Sequence, residues 1–132
     1  MEEHMMIHND IRPDQFKVLA ESADERPFVM LNLLKFKKDG GRQNYARYLR
    51  EASRFLEAAG GKLIFLSEPR ELLSGRQEWD LLMLVRYPSR KAFIEMAGNP
   101  DYLKIHRYRE AAMEDAVLYA TDEISARDFL RG

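Results

Sequence analysis

One histidine and one asparagine are the residues of this chain whose types and settings best suit chemistry. His106 has an intrinsic pKa near neutrality, as a general acid or base requires. Asn32 interrupts the otherwise apolar run Val29-Met30-Leu31-Asn32-Leu33-Leu34. A carboxamide buried there must find hydrogen-bond partners, and one of them could be a substrate. Each residue has a plainer reading. Asn32 can be a structural amide bonded to a loop or across an interface, and His106, one turn after Leu103 and next to Arg107, can be a half-buried helix residue. Trp79, Tyr48, Arg86 and Arg107 are the candidates for touching a substrate, Trp79 as a pocket wall. Trp79 serves equally as core or interface. Asp80, Arg86, Arg107 and Asp115 serve equally as surface ion pairs, and Tyr45 and Tyr48 fit the core side of a helix with hydroxyls turned to solvent or to a cavity.

Other chemistries find no support. His4 and His8 have helical metal-ligand spacing, but no helical pattern surrounds them, and incidental histidines are the better reading. Cysteine is absent, which removes thiolate nucleophiles, disulfides and zinc-thiolate sites together. Gly40-Gly41 and Gly60-Gly61 do not form a phosphate-binding fingerprint, and no GxSxG or HExxH string occurs. Neither a metal nor a cofactor is therefore expected. The 21 basic and 22 acidic residues leave a formal charge of -1 without a basic stripe, which argues against nucleic acid as a partner. The apolar stretches are too short to span a bilayer, and the opening Met1-Glu2-Glu3-His4 is not a secretion signal, so the expectation is a cytoplasmic protein without membrane association.

The elements that must position these residues follow from periodicity. A chain of 132 residues with 45% hydrophobic and 33% charged residues is expected to fold as a single domain. Within it, 1–26 form a tail and an accessory helix beginning at Pro13, 27–121 the core, and 122–132 a C-terminal tail. Phe28 to Phe36 reads as the first strand. Tyr45, Leu49, Ala52, Leu56 and Ala59 recur at helical spacing until Gly60-Gly61 ends the helix. Leu63 to Ser67 and Trp79 to Tyr87 are the second and third strands. Ser89 can cap a helix containing Phe93 and Met96, Asn99-Pro100 restarts it as far as about Met113, and Val117 to Thr121 supplies the fourth strand.

The order βαββαβ predicts an α+β, ferredoxin-like fold in which both main helices lie on one face of a four-stranded antiparallel sheet. The first strand is apolar at both parities, with Val29, Leu31 and Leu33 on one side and Phe28, Met30, Leu34 and Phe36 on the other. One helical layer covers only one set. A second copy of the chain is the expected cover for the other, with Met30 and Leu34 taken as the partner-facing positions. The N-terminal helix is the alternative cover.

Taken together, Val29-Met30-Leu31-Asn32-Leu33-Leu34-Lys35-Phe36, Tyr45-Ala46-Arg47-Tyr48, Trp79-Asp80, Val85-Arg86-Tyr87-Pro88-Ser89-Arg90, Asn99-Pro100-Asp101-Tyr102, His106-Arg107 and Asp115 resemble the domain of unknown function 1330 family over about residues 27 to 121. The resemblance implies the dimeric α/β-barrel superfamily, in which two ferredoxin-like subunits pack sheet against sheet. Cofactor-free monooxygenases, muconolactone isomerase-like enzymes, haem-handling proteins and stress-response proteins share that superfamily, so it selects no reaction. Two functions follow as expectations. One is a cofactor-independent enzyme acting on a compact, partly apolar substrate, with His106 as acid or base and Asn32 as orienter. The other is a noncatalytic dimeric ligand-binding or stress-associated module. A closed pocket holding both Asn32 and His106 favours the first, and separate, well-packed locations favour the second.

Overall fold

In the computed structural model, which describes residues 11–132, nine elements follow one another: α1 (Pro13–Ala20), β1 (Phe28–Phe36), α2 (Gly41–Ala58), β2 (Lys62–Ser67), β3 (Leu81–Tyr87), α3 (Arg90–Ala97), α4 (Pro100–Ala112), β4 (Met113–Thr121) and α5 (Ala126–Leu130). The strands form one antiparallel sheet in the order β2-β3-β1-β4, with β1 and β3 central. This is the α+β, ferredoxin-like arrangement predicted from the element order. His4 and His8 lie outside the described residues.

Local chemistry accounts for the boundaries. The Ser89 hydroxyl accepts from the Ala92 amide at 3.1 Å and starts α3. The Asn99 side chain accepts from the Asp101 amide at 2.8 Å, and Pro100 takes the first position of α4, where a missing N–H costs nothing. Gly41 opens α2 against the end of β1. A Cβ there would stand 2.7 Å from the Ala112 carbonyl oxygen and 2.9 Å from the Phe36 Cβ, so only glycine permits this approach. Three details differ from the sequence expectation. The third strand begins at Leu81, although Asp80 still donates its amide to the Leu34 carbonyl at 2.7 Å. The fourth begins at Met113 directly after α4, with the register against β1 shifting between Lys35 and Phe36. The C-terminal segment carries α5, which no periodicity announced.

Burial alternates strictly along β1: Phe28, Met30, Asn32, Leu34 and Phe36 are buried, while Val29, Leu31, Leu33 and Lys35 are half-exposed. The buried set packs with Tyr45, Tyr48 and Ala52 of α2, Phe93 of α3 and Tyr102 and Ile105 of α4 into one core. Met30 and Leu34 are therefore on the helix-covered face. This corrects the expectation that they meet a partner, and the reason is parity: the helices take the even positions because Phe28 and Phe36 bracket them with aromatic contacts to Phe93 and Tyr45.

The other face presents Val29, Leu31 and Leu33 beside Leu82 and Leu84, with Phe65 and Tyr119 toward the edges at 51% and 65% exposure. Helix α1 does not cover it. It packs against α3, on the helical side, and buries none of its own residues. An ion cluster holds the neighbouring segment there, with Arg90 3.0 Å from Asp122 and 3.8 Å from Asp24.

Candidate functional site

The polar side chains of the interior come from three elements. Helix α2 turns Tyr45 and Tyr48, three residues apart, toward the sheet; both are buried. Strand β3 ends in buried Tyr87. Helix α4 has an inner stripe of Tyr102, Ile105 and Ala112, and Arg109 falls on it, four residues after Ile105 and three before Ala112. His106, four residues after Tyr102, is the next position around the helix.

Tyr48 Oη and Tyr102 Oη share a 2.6 Å hydrogen bond in which either can donate. The Tyr102 and His106 rings lie 5.7 Å apart between centroids, and Tyr45 bridges Phe36 and Tyr48 at 5.5 and 5.4 Å. His106 Nδ1 stands 3.8 Å from Glu110 Oε1, and its side chain is 29% exposed. The cluster thus runs from a buried phenol pair to a histidine that reaches solvent.

Burial sets the protonation states. It raises the phenols of Tyr45, Tyr48, Tyr87 and Tyr102 above the ordinary tyrosine range, so all four are neutral donors near pH 7. Burial lowers His106, Arg109 lowers it further, and Glu110 opposes both. The imidazole is neutral near pH 7 and able to accept a proton. Arg109 is the charge common to the group, for its field acts on all four tyrosines as well as on His106. Yet Arg109 Nη2 is buried without a hydrogen-bond partner, and so is Tyr45 Oη. The two are close enough for the guanidinium to oppose the upward shift of Tyr45, but no hydrogen bond of good geometry joins them.

The residues singled out by sequence are partly gathered here. Tyr48 and His106 meet through Tyr102. Asn32 is buried on the same face of the sheet, opposite Met83 and Leu118 on the flanking strands. Arg86 is on the uncovered face, paired with Glu123 at 2.5 Å. Arg107 is exposed, its guanidinium 5.1 Å from the Tyr108 ring centroid, and Trp79 is half-buried just before β3. The Asp80 carboxylate accepts from the Phe36 amide at 2.8 Å and ties β1 to that loop. Tyr87, Tyr102 and Arg109 were not singled out. The stripe 102-105-109-112 would have shown Arg109 to face inward. Two surface clefts lie elsewhere: one of about 290 Å³ lined by Phe55, Ala59, Met96 and Asn99, and one of about 450 Å³ between residues 22–25 and Pro88–Lys91. Neither is lined by Asn32 or His106. Among the described residues, no group of three His, Asp or Glu side chains could hold a metal ion, and no helix is long and apolar enough to cross a membrane.

A four-stranded antiparallel sheet with its helices on one side is a fold this chain shares with solved ferredoxin-like structures. A ferredoxin-like member from Mesorhizobium loti matches with a TM-score of 0.52 at 15% identity, over 75% of this chain and 98% of that one. A candidate antibiotic biosynthesis monooxygenase from Caulobacter crescentus matches with a TM-score of 0.56 at 14% identity, over 76% and 92%. The chain belongs to the domain of unknown function 1330 family, whose model matches residues 34–122. Its fold agrees with the crystal structure of methylated RPA0582, which is 30% identical with a TM-score of 0.82 over 89% of this chain and 95% of that one, and with that of RPA0582, a protein of unknown function from Rhodopseudomonas palustris, at 29% identity and a TM-score of 0.81 over 88% and 96%. No curated protein matches significantly.

Proposed function

We propose that this chain acts as a homodimer, built through its uncovered sheet face, and that each subunit handles a compact, partly apolar small molecule between α2, α4 and the sheet. The reaction class is proton transfer without a resident cofactor. His106 is the base, the Tyr48–Tyr102 pair donates to the oxygen on which charge develops, and Asn32 orients the substrate from the sheet. The observation that carries this reading is a chain of contacts: the Tyr48 and Tyr102 hydroxyls share a 2.6 Å hydrogen bond and the His106 ring lies 5.7 Å from that of Tyr102, with burial holding all three groups neutral near pH 7. Such a set suits removal of a proton next to a carbonyl, where the carbon's proton passes to the imidazole and the electron pair moves onto the oxygen facing the phenols. The fold shared with the Caulobacter protein is compatible with such chemistry but does not select it.

The dimer is supported by what the monomer leaves exposed. Leu73 is 93% exposed in the loop between β2 and β3, and Phe129 and Leu130 of α5 are 69% and 80% exposed, in addition to the leucines of the open face. The cytoplasm and a single folded unit remain part of the same proposal. A noncatalytic binding module is the second reading, favoured by the two clefts missing both Asn32 and His106.

Deuterium exchange at carbons next to the carbonyl in a panel of small apolar ketones and keto acids, followed by NMR, tests the enzyme. Exchange by the wild type that is lost in His106→Ala supports it. Equal exchange by His106→Ala, or none with any substrate, removes the catalytic role and leaves the binding module.

A further inference from the structure

We infer that Arg109 Nη2 and Tyr45 Oη together form an anion-reading site inside each subunit, and that the ligand they take is a compact apolar carboxylate. The inference narrows the proposed small-molecule reading to a ligand class. Tyr45 is 3% exposed, and half-buried Arg109 brings one buried nitrogen from the inner stripe of α4 within reach of its hydroxyl, yet the two do not meet in a hydrogen bond of good geometry and neither atom has another partner. Among the described residues, no ion pair includes Arg109. A buried guanidinium nitrogen and a buried hydroxyl that each lack an acceptor both oppose folding, so both are expected to gain from the same missing group.

The character of that group follows from the donor count. Arg109 and Tyr45 offer N–H and O–H. The Tyr48–Tyr102 pair spends one of its two hydroxyl protons internally and keeps the other. A cation would meet the like charge of Arg109, with Glu110 turned to His106 at the solvent end of the cluster, and a neutral amide would bring donors of its own. A carboxylate is acceptor-only, and its two oxygens can take one hydrogen bond from Arg109 and one from Tyr45. Its remainder must be apolar, because Phe36 lies against Tyr45 and Phe55 against Tyr102, at 5.5 and 5.9 Å between ring centroids. A water molecule would satisfy the hydrogen bonds but bring no negative charge to the buried nitrogen of Arg109.

Calorimetry and amide NMR of the full-length protein with sodium acetate and sodium benzoate, against benzyl alcohol as the neutral match for benzoate, test the site. Benzoate is expected to bind at one site per subunit, roughly tenfold or more tighter than benzyl alcohol. Arg109→Lys keeps the charge but loses the fork, and Tyr45→Phe keeps the ring but loses the hydroxyl; each should weaken benzoate by about tenfold with the fold intact by circular dichroism. The inference is overturned if neither carboxylate binds, if benzyl alcohol binds as tightly as benzoate, or if both folded variants bind like the wild type. Binding is read without turnover, so a failed exchange reaction would leave this site standing, and failed binding would leave exchange by His106 to be judged separately.

Discussion

The two faces of the sheet are built from adjacent residues of the same strands and carry opposite anomalies. The covered side, where burial should favour carbon, holds Asn32 and Tyr87 from the strands, and the helices packed over it add Tyr45, Tyr48, Tyr102 and the inner end of Arg109. The uncovered face, where water should favour polar groups, holds Val29, Leu31, Leu33, Leu82 and Leu84. Inside, the Tyr45 hydroxyl and one Arg109 nitrogen lack partners, which the proposed ligand would supply; outside, the apolar face is what the proposed dimer would cover.

Leu33 and Leu34 are neighbours in sequence and give the sharpest comparison. Leu34 is fully buried, and Leu34→Ala should lower stability by about 2–5 kcal/mol in denaturant unfolding. Leu33→Asp should leave the circular dichroism spectrum native while shifting the proposed dimer to monomer in sedimentation, because the carboxylate would be desolvated without a partner, at a cost of roughly several kcal/mol. A native, fully dimeric Leu33→Asp would show that the open face is not the interface. Smaller in effect is Tyr45→Phe, which removes a hydroxyl without a partner and should hold or raise stability, by about 1 kcal/mol at most, as read from the Tm. A clear loss of stability would mean that the hydroxyl is satisfied within the protein.

The smallest effect concerns pH. The folded-state pKa of His106 is depressed, chiefly by burial, so the unfolded chain takes up this proton first as pH falls. The contribution is therefore present in full above the ordinary histidine value. It is lost as pH falls through that value toward the folded one, and His106→Gln should flatten the slope of stability against pH in that window. An unchanged slope would place the imidazole in water.

Much of this architecture was legible before any coordinates. Glycine pairs, Ser89 and Asn99-Pro100 mark helix ends because capping is local chemistry, and β1 is bounded as Phe28 to Phe36 on the strength of its apolar run. The facing of β1 was not legible, since apolar residues at both parities give periodicity nothing to choose between, and Met30 and Leu34 were assigned to the wrong side. The site was visible only in part. Asn32 and His106 stand out by type, whereas Arg109 looks like a surface charge until the inner stripe of α4 is drawn through it. Its missing partner is a property of three-dimensional packing that no spacing encodes.

The most direct test of the interior as a working site is the titration of the His106 imidazole, followed by NMR with and without benzoate. Without ligand the midpoint should lie below that of an ordinary histidine, as burial and Arg109 require. Benzoate should move it upward, because a carboxylate on Arg109 cancels the positive field that now opposes protonation. An ordinary midpoint that benzoate leaves unchanged would contradict both the buried base and the anion site beside it.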